Sequence, residues 1–80
     1  MKIASSLSIR DLRSTFDSLA PTAIYIDGKC VWDDNDFTEY QSCRNKYNEV
    51  LNSEKIIKCF NVRIVHFHHS IIYIYTVMGG

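Results

Sequence analysis

The densest group of metal-competent side chains in this 80-residue sequence is the run His66, Phe67, His68, His69. On a strand, residues 66 and 68 share a face, which would set two imidazoles side by side as in some zinc and iron sites. A third ligand is not apparent, so turn and sheet-surface histidines are the simpler reading, and no metal is expected. The acidic run Asp33, Asp34, Asn35, Asp36 offers carboxylates, but a calcium loop also needs a central glycine and a distant bidentate glutamate, and Phe37 takes the third alternate position. The run is better suited to capping a helix whose N-terminal dipole favours negative charge. The sequence has no Gly-rich phosphate loop, no Gly-flanked nucleophilic serine and no convincing Cys/His arrangement, Cys59 and His66 being only one pair among many. No catalytic residue and no cofactor is therefore expected, and the chain reads as a non-enzyme.

Two further groups carry chemistry of recognition. Ile64, His66, Tyr73 and Tyr75 alternate along two apolar segments, and such a row either stacks bases, packs under a helix or lines a protein interface. Nine basic and nine acidic residues cancel, whereas a dedicated nucleic-acid binder usually carries a basic excess; nucleic acid is thus the weakest of these partners. The sequence ends in Val77, Met78, Gly79, Gly80 directly after an apolar segment. Two residues without side chains can thread a narrow channel, so that a terminal carboxylate reaches an enclosed active site; a frayed tail is the plain alternative.

The elements that must position these groups follow from periodicity. Ser8, Asp11, Leu7 and Leu12 form a helix-start signature, with Ser8 as cap, Asp11 reaching back and Leu7 stapling against Leu12. Ile9, Leu12, Phe16 and Leu19 then share one helical face until Pro21. Residues 22–26 and 29–32 read as strands joined through Asp27 and Gly28 in a type I′ turn. After the acidic run, Phe37, Tyr40, Cys43, Tyr47, Val50 and Leu51 form one stripe of a second helix that ends near Asn52 and Ser53. Residues 56–67 and 71–77 are β-branched and apolar, with His68, His69 and Ser70 closing an antiparallel hairpin and Asn61 marking a bulge. In that pairing Val65, Phe67, Ile72 and Ile74 share the core face, and Ile64, His66, Tyr73 and Tyr75 the other.

Residues 1–80 thus predict a single small α+β domain: a mixed or antiparallel sheet with two helices, in the order short β, α, β, β, α, β, β. A chain of this size buries only about 60% of the surface it exposes when unfolded, so all elements share one core. Cys30, Cys43 and Cys59 are odd in number and widely spaced, which fits neither a disulfide framework nor a paired-cysteine zinc site. They are expected to be reduced, largely buried thiols of a cytoplasmic protein. Neither a signal peptide nor an apolar run of membrane-spanning length is expected.

The ordered set of residues resembles the ubiquitin-like sulfur carriers of the ThiS and MoaD type. Ser8 and Ile9 open a short helix, residues 23–28 resemble the family's strand and turn, Val31 and Phe37 stand near expected apolar positions, and residues 71–80 resemble its terminal strand and Gly-Gly tail. The likeness spans about half of the chain, and a rewired β-grasp fold is what it implies, with residues 56–67 taking the sheet place of the family's opening hairpin. It also implies that the Gly80 carboxylate is adenylated by an E1-like enzyme and converted to a thiocarboxylate for a sulfur-accepting synthase. Gly79 would supply slimness, and Tyr73, Tyr75 and Met78 a docking surface. The rival expectation is a protein-binding module or inhibitor of mobile-element type, acting through Tyr25, Trp32, Tyr73 or Tyr75, since aromatic residues dominate binding hot spots.

Overall fold

The computed structural model describes residues 7–36, 39–66 and 69–77, with the backbone alone at His66. A 3-10 turn at Arg10–Leu12 leads into helix α1 (Arg13–Ser18), followed by strands β1 (Ala23–Ile26) and β2 (Lys29–Asp33). A second 3-10 turn, Asp34–Asp36, precedes helix α2 (Tyr40–Leu51), and β3 (Ile57–His66) and β4 (His69–Thr76) complete the domain. Two helices on a four-stranded mixed sheet make this the α+β class that the patterning predicts. The expected short first strand falls mainly on residues 1–6, outside the described residues; beyond them Ser8 makes an isolated antiparallel bridge with Ile56.

The capping signature forms as the sequence predicts. Ser8 N–H donates to Asp11 Oδ2 at 2.9 Å, and Asp11 N–H donates to Ser8 Oγ at 3.2 Å, a reciprocal box that satisfies two otherwise orphan donors. Leu7, expected to staple against Leu12, is 48% exposed, while Leu12 packs on the core. The helix behind the box is shorter than expected. Ile9 and Arg10 donate their N–H groups to the Lys55 and Ser53 carbonyls, which ties the first turn to the segment after α2 and leaves six residues of α-helix. Ala20 at φ 48° ends it in the left-handed region, just ahead of the buried Pro21.

Asp27 and Gly28 both have positive φ, 51° and 84°, as a type I′ turn requires. The sheet order is β2-β1-β4-β3, with β1 antiparallel to β2 but parallel to β4. Ile24 pairs with Ile72 and Ile26 with Ile74; across the other edge Val62 pairs with Ile72 and Phe60 with Ile74. These side chains form one apolar face beneath Ile9, Phe16, Val50 and Leu51. The ring of Phe16 meets Phe60 edge-on at 5.1 Å, and Trp32 meets Tyr47 at 4.8 Å while its Nε1–H donates to the Cys43 carbonyl at 3.2 Å.

Four expectations are corrected. The acidic run does not cap α2: Asp33 accepts the Asn35 N–H at 2.9 Å and so caps its own 3-10 turn, whereas α2 starts at Tyr40 behind Glu39 without a side-chain cap. Phe37 lies outside the described residues, and Tyr40, placed on the buried stripe, is 70% exposed. The bulge is not at Asn61, which pairs with Tyr73; register shifts occur between Ile57 and Cys59 and between Ile64 and His66. That second shift inverts the faces predicted for β3. Ile64 pairs with Ser70 on the side of Ile72 and Ile74, though 69% exposed at the margin of that side, and Val65, 49% exposed, is the inserted residue; counted back from the hairpin turn, one inserted residue flips every side chain beyond it.

Candidate protein-interaction face

β4 divides cleanly by parity. Ser70, Ile72, Ile74 and Thr76 are buried, Ile71 and Tyr73 half-buried, and Tyr75 exposed. Both helices send their core side chains to the first set; among the described residues no element covers the second.

Cross-strand register arranges that open side in rows. Cys30, Tyr25, Tyr73 and Asn61 form one row across all four strands, and Asp33, Ala23, Ile71 and Arg63 the next. Tyr75 stands opposite Cys59 beyond them. In the middle, Tyr25 and Tyr73 stack with ring centroids 5.1 Å apart at 29°, a geometry that adds to simple area burial. Cys30 first, then partial burial, Tyr73 and Asp33, raise the Tyr25 phenol above its ordinary pKa. The centre is thus aromatic and aliphatic while the edges carry Asp33, Arg63, Asn61 and two thiols. An aromatic centre with a polar rim is the build of a protein contact surface.

Of the aromatic residues that the sequence offered, Tyr25, Tyr73 and Tyr75 lie together on the open side. Trp32, offered as a fourth interface residue, is instead 6% exposed and buried under α2. The missing signal was the bulge between Ile24 and Tyr25, where Val31 is the extra residue; it leaves Cys30 on the open side and turns Trp32 inward. Ile64 and His66 do not join the tyrosines in one row: Ile64 belongs to the opposite side, and the His66 side chain and His68 lie outside the described residues.

The end of β4 is held from two directions. The Asp27 carboxylate accepts the Thr76 N–H at 2.9 Å and the Thr76 hydroxyl at 2.7 Å, and Asp27 N–H donates to the Ile74 carbonyl at 2.8 Å. Val77 N–H donates to the Ile56 carbonyl at 3.0 Å on the other flank. The Thr76 backbone and hydroxyl bonds hold the Asp27 carboxyl below its ordinary pKa. Met78, Gly79 and Gly80 lie outside the described residues. Asp27 was legible in the sequence as a turn residue only.

No protein-family model, curated protein or solved structure matches this chain.

On the helical side an open groove of about 600 Å³ runs between α2 and the chain entering β1, lined by Pro21, Thr22, Trp32, Arg44, Tyr47 and His69 among others. Arg44 lies over the Tyr40 ring and bonds to its hydroxyl. Tyr47 donates to Asp17 at 2.6 Å; burial first, then that carboxylate, raises its phenol pKa. The groove is therefore walled by side chains already engaged with one another. Among the described residues no three His, Cys, Asp or Glu side chains gather as metal ligands, and no helix is long and apolar enough to cross a membrane. All three thiols are free, but Cys30 and Cys59 are exposed and only Cys43 is half-buried, which corrects the expectation of largely buried cysteines: Cys30 and Cys59 fall on the uncovered side of the sheet.

Proposed function

We propose that this domain acts by docking a protein on the open side of its sheet, through Tyr25, Tyr73 and Tyr75, and has no catalytic chemistry of its own. The observation that carries this reading is the stacked Tyr25–Tyr73 pair at the centre of an uncovered, polar-rimmed surface. Its simplest form is a small protein-binding module or inhibitor.

The strand order favours a second, more specific form, a carrier of the ubiquitin-like kind. Here a hairpin (β1–β2) is followed by a helix (α2) and two strands, and the last strand lies parallel to β1 in the middle of the sheet. That succession supports the resemblance through α2, not through the earlier helix on which the sequence likeness rests, and β3 forms an edge without standing in for a hairpin. In this form Gly80 is adenylated by an E1-like enzyme and thiocarboxylated, Gly79 keeps the tail slim, and the Asp27–Thr76 latch fixes the end of β4. Tyr73, Tyr75 and Met78 then face the activating enzyme or the sulfur-accepting synthase.

Incubation with an E1-like enzyme, ATP and a sulfur donor, followed by intact-mass measurement, tests the carrier form. The expected result is one oxygen exchanged for sulfur, lost when Gly79 and Gly80 are removed and reduced at least tenfold by Tyr73→Asp. No exchange with several such enzymes removes the carrier form and leaves the binding module. Exchange that Tyr73→Asp and Tyr75→Asp leave unchanged removes the docking face.

A further inference from the structure

The open side of the sheet is complementary to itself. We infer that its occupant, when no other protein is docked, is a second copy of this chain, related by a two-fold axis parallel to the strands; this inference rests on the docking role proposed for that face.

The argument is one of charge and register. Asp33 on edge strand β2 and Arg63 on edge strand β3 lie at opposite ends of one row, with Ala23 and Ile71 between them. Arg63 is exposed, and its guanidinium is in none of the ion pairs formed by the described residues, which involve Arg10, Arg13 and Lys46. Asp33 uses one oxygen on the Asn35 N–H and keeps lone pairs for another donor. When two such sheets meet face to face about an axis running between β1 and β4, β2 of one copy lies over β3 of the other. Each row then meets itself reversed. Asp33 of each copy faces Arg63 of its mate, twice, and Tyr25 faces Tyr73 at the centre. An axis across the strands would instead stack β2 on β2 and β3 on β3, leaving both charges without an opposite. Closed two-fold pairing is the commonest symmetry of soluble oligomers, and aligned packing of twisted sheets about 10 Å apart is a standard arrangement.

The face is small. Four strands about 4.8 Å apart and roughly five residues of about 3.3 Å each give on the order of 300 Å² of sheet per copy. That lies well below a standard stable interface, so the pairing is weak and exchanges readily, which leaves the face available to a tighter partner.

The test begins with the unaltered full chain. Two-dimensional amide spectra from about 20 μM to 1 mM, with sedimentation velocity alongside, are expected to show concentration-dependent shifts on Tyr25, Asp33, Arg63 and Tyr73 and none on the exposed side of α2. Arg63→Glu should weaken self-association at least tenfold, and Asp33→Lys likewise. Combining the two should restore it, because the swapped charges again face their opposites. Asp33→Asn, which keeps the acceptor for Asn35, guards against loss of the local turn and should weaken pairing without altering the fold by circular dichroism. A chain that stays monomeric at 1 mM, shifts that map to α2, or a double swap that fails to restore pairing while remaining folded would each overturn the inference. A monomer in which Tyr73→Asp still blocks activation by the E1-like enzyme overturns the self-pairing alone and leaves the docking face standing.

Discussion

The two sides of this one sheet are built from the same strands and have opposite fates. On β4, residues 70, 72, 74 and 76 are buried under the helices, whereas 71, 73 and 75 are not. Both sets are rich in large apolar or aromatic side chains, so hydrophobicity does not separate them. What separates them is shape and chemistry: the covered side takes aliphatic Ile24, Ile72 and Ile74, which fill space without a polar atom, and the open side takes tyrosines, whose hydroxyls tolerate water. Among the described residues the two helices cover one side only, and the residue types announce which.

Truncation on the covered side should show the difference most strongly. Ile72→Ala removes a fully buried side chain at the centre of the core and is expected to cost about 2–5 kcal/mol in denaturant unfolding. Tyr73→Ala, one residue along, gives up the stack with Tyr25 and is expected to cost about 1 kcal/mol or less, while abolishing docking. Equal losses at the two positions would mean that the open side is part of the core and that the distinction fails.

A smaller effect sharpens the covered side. Tyr47→Phe deletes the hydroxyl bonded to Asp17, which joins α2 to α1 beside the Arg13 bonds to Asn48 and Asn52, and about 1 kcal/mol of lost stability is expected.

The latch at the sheet end gives the mildest signal, confined to acid. The Asp27 carboxyl is held below its ordinary pKa by Thr76, so its contribution is present above the unfolded value of about 3.9 and is lost as pH falls through the lower folded value. Thermal unfolding followed downward from pH 5 should show the native chain losing stability over that window and Asp27→Asn losing less. Identical slopes would remove Asp27 as a titrating latch.

Much of this architecture is readable from local signals. The Ser8–Asp11 box, the Asp27-Gly28 turn and the alternation of residues 70–76 each depend on residues within a few positions of one another, and each forms. What escaped depends on neighbours distant in sequence. The bulges that turn Trp32 inward and Ile64 to the helical side are defined by partner strands, and no composition marks them. The acidic run was legible as a cap, but which turn it caps is decided by a three-residue difference in where α2 begins. For the site, Tyr73 and Tyr75 were legible because alternation alone sets them apart from Ile72 and Ile74. Tyr25 was legible as an aromatic interface candidate, but that it stacks on Tyr73, with Cys30 in the same row, required knowledge of which strand lies beside β4.

The parallel pairing of β1 with β4 has a consequence for the birth of the molecule. Asp27 and Thr76 are bonded although 49 positions separate them, and β1 has its second neighbour only in β4, the last of the described strands. While residues 69–76 are still inside the ribosome, the hairpin and α2 have half a sheet to pack on and an open edge on β1. Consolidation of the core is therefore postponed until residues 69–76 have emerged, and until then the nascent chain carries Ile24 and Ile26 unprotected on that edge.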